Sequence, residues 1–216
     1  MKVEKVRILL WDWNGTLLDD VDICVEAMNS ILSERHMKGI TREYYRQIFT
    51  FPVKSYYRQL GFDFERDDWD EVAIEFMRRY LSRLPSCHLQ EGVVETLAYF
   101  HDRGYRQIVL SAMEHNTLRE SIRTLGILYY FDGMAGIHNH YAESKLEIAK
   151  RLMLGLKATP EEVCLIGDSL HDHEVALALG CPCILIDKGH QIHERLITTG
   201  RTVLKSITEV KGVIGA

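Results

Sequence analysis

Short apolar, β-prone runs that end in polar residues punctuate a chain whose remaining pattern is helical. The first is Val6 to Trp11, in which Val6, Ile8, Leu9, Leu10 and Trp11 leave almost no alternation, as expected of a strand buried on both faces of a parallel sheet. Asp12 follows it directly. From Asp19 to about Leu84 no such run appears and the apolar spacing is helical throughout. Asp19 or Asp20 is placed to cap a helix to about Met37, Thr41 opens a second, and Pro52 interrupts before a third around Tyr56 to Leu60. Asp68, three residues before Glu71, opens a long amphipathic helix through Val72, Phe76, Tyr80 and Leu84 that Pro85 closes. From Glu91 onward helix and strand alternate. A helix to about Asp102 precedes the strand Arg106 to Ser111, Asn116 is read as the cap of a helix that Gly126 stops, and Met134 to Ile137 forms a weaker strand. Ser144 and Glu147 have capping-box spacing, which puts Lys145 in the first turn of a helix to about Leu154. A helical turn at Thr159 to Glu162 leads into the strand Val163 to Gly167. Ser169 then caps a helix to Leu179, and strands at Pro182 to Ile186 and Thr202 to Leu204 complete the series.

This alternation predicts an α/β fold, a Rossmann-like parallel sheet core formed by residues 1–18 and 86–216, with an inserted all-helical unit, 19–85. At 216 residues and 46% hydrophobic content the chain can bury a full core. Twenty-six basic residues against thirty-one acidic give a net charge of −5, with no long basic run to track a phosphate backbone, so nucleic acid is not an expected partner. Five scattered cysteines (24, 87, 164, 181 and 183) do not form a disulfide framework, and Cys181-Pro-Cys183 reads as buried strand thiols rather than a metal site. The charged N-terminus lacks a stretch apolar enough for a signal peptide or a membrane span. A cytoplasmic protein, monomeric or a weak homodimer, is expected.

Candidate chemistry lies at the carboxyl ends of the predicted strands, where open α/β sheets bind ligands. Asp12, Ser111, the neighbourhood of Lys145, and Asp168 with Asp172 all fall there. Two or more carboxylates beside a hydroxyl and an ammonium suit a magnesium ion and a phosphoryl group. Hard oxygens hold Mg²⁺, while lysine and hydroxyl groups neutralise and position phosphate oxygens. A carboxylate such as Asp12 can also act as a nucleophile. Taken singly, each group has a plainer reading: Asp168 and Asp172 as helix caps, Lys145 as a surface lysine, Ser111 as a strand-end serine, and His138-Asn139-His140 as a solvent-exposed loop.

Asp12-Trp13-Asn14-Gly15-Thr16, Ser111, Lys145 and Gly167-Asp168-Ser169-Leu170-His171-Asp172 resemble, in order and spacing, the four motifs of the haloacid dehalogenase superfamily. The helical insert resembles the C1 cap of its phosphoglycolate phosphatase-like members. The resemblance implies an Mg²⁺-dependent phosphohydrolase acting on a small phosphorylated metabolite, in which Asp12 attacks phosphorus and forms an aspartyl-phosphate. By the same resemblance Thr16 and Ser111 bind phosphate, Lys145 stabilises nucleophile and phosphate, and Asp12, the Asn14 backbone carbonyl and Asp168, with Asp172 directly or behind it, hold the metal.

Asn14 departs from that pattern, because family phosphatases carry an acid/base aspartate there. A carboxamide donates a hydrogen bond but does not shuttle a proton at neutral pH, and such catalysis is worth about 10²- to 10⁴-fold, or roughly 3 to 5 kcal/mol. Three explanations stand: a substrate with a good leaving group, such as an acyl phosphate or phosphoanhydride; a substitute acid; or a weak or inactive member that binds a phosphorylated ligand. Among nearby groups, His171, His173, Asp19 and Asp20 read more simply as a helix face or caps. Dehalogenases of the superfamily carry an aromatic residue at this position and need no Mg²⁺, unlike the acidic fourth motif here. Within the insert, Arg46 and Lys54 are the cations expected to meet an anionic leaving group, with Tyr56, Tyr57 and Arg58 nearby.

Overall fold

The strand β1, Ile8–Trp11, is wholly buried at the centre of a six-stranded parallel sheet. The computed structural model describes residues 3–137 and 144–214, so the His138-Asn139-His140 segment lies outside the described residues. In chain order the elements after β1 begin with β2 (Leu18–Asp19) and the helices α1 (Val21–Glu34), α2 (Arg42–Ile48), α3 (Val53–Gln59) and α4 (Trp69–Arg83). Then come β3 (His88–Leu89), α5 (Val93–Asp102), β4 (Arg106–Glu114), α6 (His115–Thr124), β5 (Gly133–Ile137) and α7 (Lys145–Leu156). The chain closes with β6 (Val163–Gly167), α8 (Leu170–Leu179), β7 (Cys183–Ile186), α9 (His193–Leu196), β8 (Thr202–Leu204) and α10 (Val210–Ile214). The sheet order is β5-β4-β1-β6-β7-β8, so successive strands run outward from β1 first on one side and then on the other. That reversal at β1 is the switch point at which a crevice opens beyond the strand ends.

Alternate residues of β1 feed two cores, as the two-residue period of a strand requires. Leu9 and Trp11 pack with Leu97 and Phe100 of α5 and Ile122 of α6, whereas Ile8 and Leu10 pack with Ile148 of α7 and Val175 of α8. Trp11 carries one polar atom into this interior, and the buried Gln107 side chain satisfies it at 3.1 Å while donating to the carbonyls of Leu97 and Tyr130. The five cysteines are buried thiols, and those of 181 and 183 line strand core as expected. No helix among the described residues is long and apolar enough to cross a membrane.

The four helices α1 to α4 are bracketed by β2 and β3, which pair antiparallel and bring the two ends of the insert together. Within it α1 packs on α4, and Arg79 of α4 is gripped by Ser30, Glu34 and Glu75. The caps at Thr41, Asp68, Ser144 and Ser169 form with their side chains as the sequence predicts. Three boundaries differ from expectation. The helix α1 stops at Glu34 because His36 turns into the left-handed region. The strand β4 runs on to Glu114, whose carboxylate, rather than Asn116, caps α6 by accepting from the Asn116 and Thr117 amides at 2.8 Å. Asp20 occupies the N-cap position of α1 without capping it, because its side chain is engaged elsewhere.

Candidate active site

Strand ends and helix starts bring the predicted groups into one buried cluster. Asp12 is the residue after β1, its amide bonded to the Ile166 carbonyl of β6 at 2.8 Å, and Asp168 is the residue after β6. Gly15, at φ 75°, turns the chain sharply beyond Asp12, and a Cβ there would collide with both Asp168 and His190, so the turn admits no side chain. The Lys145 ammonium, at the start of α7, contacts the carboxylates of both Asp12 and Asp172. Oxygens of Asp12, Asp168 and Asp172 lie within 4.8 Å of one another. Asp172 still caps its helix, accepting from the Ser169 hydroxyl at 2.6 Å, so the plain reading of that residue holds while its other oxygen meets Lys145.

Electrostatics within the cluster follow from burial and charge count. Burial raises Asp12 well above the usual carboxylate range, Asp172 and Asp168 add to that rise, and Lys145 opposes it. Burial, with the Asp172 charge added, lifts Asp168 to about 6 against the pull of His190. Burial also works against ionising Asp172, yet Lys145 outweighs it and holds that carboxyl below its ordinary value. Lys145 itself is raised, because the two carboxylates overcome its desolvation. Three carboxylates around one ammonium leave negative charge unbalanced in the interior. A hard divalent cation fits this all-oxygen donor set and that charge excess.

The remaining predicted residues divide. Ser111, on β4, faces the cluster, accepting from the Met113 amide at 3.0 Å with its hydroxyl 3.4 Å from the Asn14 carboxamide oxygen. Thr16 is fully buried, its hydroxyl 3.1 Å from Asp12 and 3.1 Å from Asp168, so it braces the carboxylates and is turned from the cavity. Arg46 and Lys54 do not face the cavity. Arg46 donates to the Gly189 carbonyl at 2.7 Å and to Asp187 and the Gln191 carbonyl at 3.0 Å, and Lys54 lies over the Phe64 and Trp69 rings at 5.1 and 5.5 Å. Each cation has a partner of its own, which removes it from the expected anion-binding role.

Asn14 is fixed by groups that the sequence pattern passes over. Its carboxamide nitrogen donates to Asp20 and to the Tyr80 hydroxyl, each at 2.7 Å, and Tyr80 donates to Asp20 at 2.8 Å. His190 completes the network: its ring lies 3.3 Å from Asp20 and 2.8 Å from the Tyr45 hydroxyl, and its amide donates to Asp168. Burial would raise Asp20, but His190, Asn14 and Tyr80 outweigh it and hold its carboxyl low. Burial likewise disfavours charged His190, yet Asp20 and Asp168 push it up to about 9. For Asp20 this corrects the reading as a helix cap. His190 offered one sequence signal, its place in a Gly-His pair just beyond a predicted strand end. Between this network and the helical insert lies a cavity of about 200 Å³, lined at its base by Asp12, Ser111 and Lys145 and above by Phe49, Phe51, Tyr56, Tyr57, Phe76 and Tyr80.

Residues 9–186 match the model of the family described as haloacid dehalogenase-like hydrolase. The chain belongs to that family. Among curated relatives of this hydrolase, the tyrosine-protein kinase PtkA of Mycobacterium tuberculosis is 23% identical over 98% of this chain and 74% of its own length. The pyrophosphatase PpaX of Anoxybacillus flavithermus is 22% identical over 77% of each. Among solved structures, a haloacid dehalogenase-like family hydrolase from Streptococcus pneumoniae superposes with a TM-score of 0.86 at 18% identity, covering 97% of this chain and 98% of that one. The haloacid dehalogenase-like fold is therefore shared even where few side chains are.

Proposed function

We propose that the chain is a divalent-cation-dependent phosphohydrolase working through Asp12, with Mg²⁺ as the physiological ion and residues 19–85 as a lid over the site. The observation that carries this reading is the buried cluster of Asp12, Lys145, Asp168 and Asp172 at the switch point of the sheet, opening onto a cavity under the helical insert. The activities named for the two relatives, pyrophosphatase and tyrosine-protein kinase, share transfer of a phosphoryl group, and that shared step is what we carry over.

In this mechanism Asp12, Asp168, Asp172 and the Asn14 backbone carbonyl would hold the ion. When bound, it supplies the positive charge that keeps Asp12 ionised and draws charge from the phosphoryl oxygens. An Asp12 oxygen attacks phosphorus, and the bond from phosphorus to the leaving oxygen breaks, its electron pair departing with that oxygen. Lys145 orients Asp12 and neutralises phosphoryl charge, Ser111 donates to a phosphoryl oxygen, and Thr16 fixes the carboxylate rotamer. Water then cleaves the aspartyl-phosphate, restoring Asp12 and releasing phosphate.

Asn14 supports a second reading, a member that binds a phosphorylated ligand with little turnover, since its carboxamide stands where a proton would be exchanged. Phosphate release from phosphate esters and acyl phosphates, with and without Mg²⁺, separates the two. The enzyme reading expects turnover that chelation abolishes and that Asp12→Ala removes by at least about 10³-fold. Retained Mg²⁺ and phosphate binding with no turnover on any substrate leaves only the second reading.

A further inference from the structure

The cavity under the insert does not match a small anionic leaving group. Its wall is aromatic and apolar: Phe49, Phe51, Tyr56, Tyr57 and Phe76 line it, with Met77 beside them. The rings pack edge to face, Phe49 against Phe51 at 5.4 Å and against Tyr56 at 5.5 Å, so the wall is a built surface. Among the described residues, the lysine and histidine side chains on the cavity are Lys145, held by two carboxylates, and the histidines 171 and 190. His190 is tied to Asp20, and His171 stacks on Phe51 at 4.6 Å and pairs with Glu174. The insert's own Arg46 is consumed by residues 187–191, as described above. A carboxylate-bearing leaving group placed here would be desolvated without a counter-charge.

The size of the space points the same way. An apolar cavity of about 150 Å³ holds a benzene ring, so a space of about 200 Å³ that reaches down to Asp12 and Lys145 has room for no more than one six-membered ring beside a phosphoryl group. A chemical reason converges on it. With Asn14 in place of an acid, the leaving oxygen must depart unprotonated, which a phenolic oxygen does far more readily than an alkoxide.

We propose, on the footing of the phosphohydrolase reading, that the substrate class is an aryl phosphate monoester, its neutral ring held by the aromatic wall and its oxygen expelled as phenolate. Asp12 carboxylate attacks phosphorus, the aryl O–P bond breaks, and its electron pair leaves on the phenolate. Water then attacks the aspartyl-phosphate dianion and gives back the Asp12 carboxylate with dihydrogen phosphate. The phenolate takes one proton from that phosphate, so the sum is aryl phosphate plus water giving phenol plus hydrogen phosphate. Tyr56 adds to this wall a buried hydroxyl that has no partner among the described residues.

The test uses the full chain with Mg²⁺ and four substrates: phenyl, benzyl and acetyl phosphate, and 2-phosphoglycolate. Phenyl and benzyl phosphate should share a KM within about threefold, at least about tenfold below the other two, because both place a ring on the wall. In single turnovers, which report transfer to Asp12 before the shared aspartyl-phosphate, alcohol release should be slower from benzyl than from phenyl phosphate by about 10²-fold or more, the alcohol needing a proton that Asn14 does not give. Met77→Arg, at a residue 37% exposed, should shift the kcat/KM ratio of phenyl phosphate to phosphoglycolate at least about tenfold toward the anion. Higher kcat/KM for acetyl phosphate or phosphoglycolate than for phenyl phosphate overturns the aryl assignment and leaves the phosphohydrolase standing. Equal single-turnover rates of alcohol release from phenyl and benzyl phosphate overturn the phenolate step. Absence of turnover on all four defeats the phosphohydrolase reading instead, and calorimetry then judges the wall alone. Phenylphosphonate binding at least about tenfold tighter than phosphonoacetate upholds the wall's preference, and equal or reversed affinity overturns it.

Discussion

Asn14 and Asp20 are best understood as a pair. The Asn14 carboxamide is the donor that lets a buried carboxylate sit 2.7 Å away, and Asp20 has the same service from Tyr80 and His190. Asn14→Asp, which by sequence alone should simply supply the missing acid, therefore sets two carboxylates against each other in a buried site. We expect that single change to lose stability as pH rises from 6 to 8, by a few kcal/mol, as a buried pair with one partner made repulsive does. The exchange Asn14→Asp with Asp20→Asn restores one donor and one acceptor. It should recover the melting temperature and raise hydrolysis of benzyl phosphate at least about tenfold over the parent. Thermal melts across pH together with steady-state rates check both halves, and a double variant no faster than the parent removes the acid-base argument.

At the scale of elements, the α2 helix is held to the loop after β7. Besides the Arg46 contacts, Gln191 and Arg195 donate to the Phe49 carbonyl, and the Ile192 amide to that of Arg46 at 3.3 Å. Arg46→Ala should cost about 1 to 2 kcal/mol, modest because the ion pair to Asp187 is about a fifth exposed. The loss should be local: amide exchange should quicken in α2 and α3 and stay unchanged in the sheet. Equal loss of protection in both would show that the contact supports the whole fold. This level also shows what the sequence can convey. Asp12 and Asp168 were legible because each follows an apolar run that can only be a buried strand, and Lys145 because a capping box fixes its place in a helix. Asp20 was hidden by its resemblance to a cap, since a cap and a buried acceptor need the same side chain. Arg46 and Lys54 misled because charge on an insert helix says nothing about which partner takes it, and those partners lie up to 145 residues away. The reach of β4 to Glu114 was obscured because Ser111 looked like an ending.

The whole molecule should feel the site's charge through pH. His190 is raised from 6.5 to about 9, so the stability it contributes is fully present below pH 6.5 and is lost as pH rises through 9. Asp168 is raised from 3.8 to about 6, so its contribution is likewise present at low pH and lost through pH 6. Asp20 and Asp172 are lowered and work oppositely, their contributions present above 3.8 and lost as pH falls further. Metal-free protein should therefore be most stable near about pH 4, weaken toward pH 6 as Asp168 ionises, and lose on the order of 3 kcal/mol more between pH 6.5 and 9 as His190 gives up its proton. Saturating Mg²⁺ should offset that loss, raising the melting temperature by several degrees more at pH 8 than at pH 5.5. Melts with Mg²⁺ and with chelator at the two pH values check this, and a shift independent of pH would mean that the ion binds away from the acidic cluster.

The loop that grips α2, residues 187 to 195, begins just past residue 186, where the match to the family ends. The same short loop also carries His190, whose amide donates to Asp168 and whose ring reaches Asp20, so the anchor of the insert and the wall of the site share one stretch of chain. On the phosphohydrolase reading, substitutions at Asp187, Gln191 or Arg195, which hold α2 and do not contact Asp12, should change product departure more than the chemical step. Variation there offers a route by which one inherited reaction becomes tuned to scarce or abundant substrate.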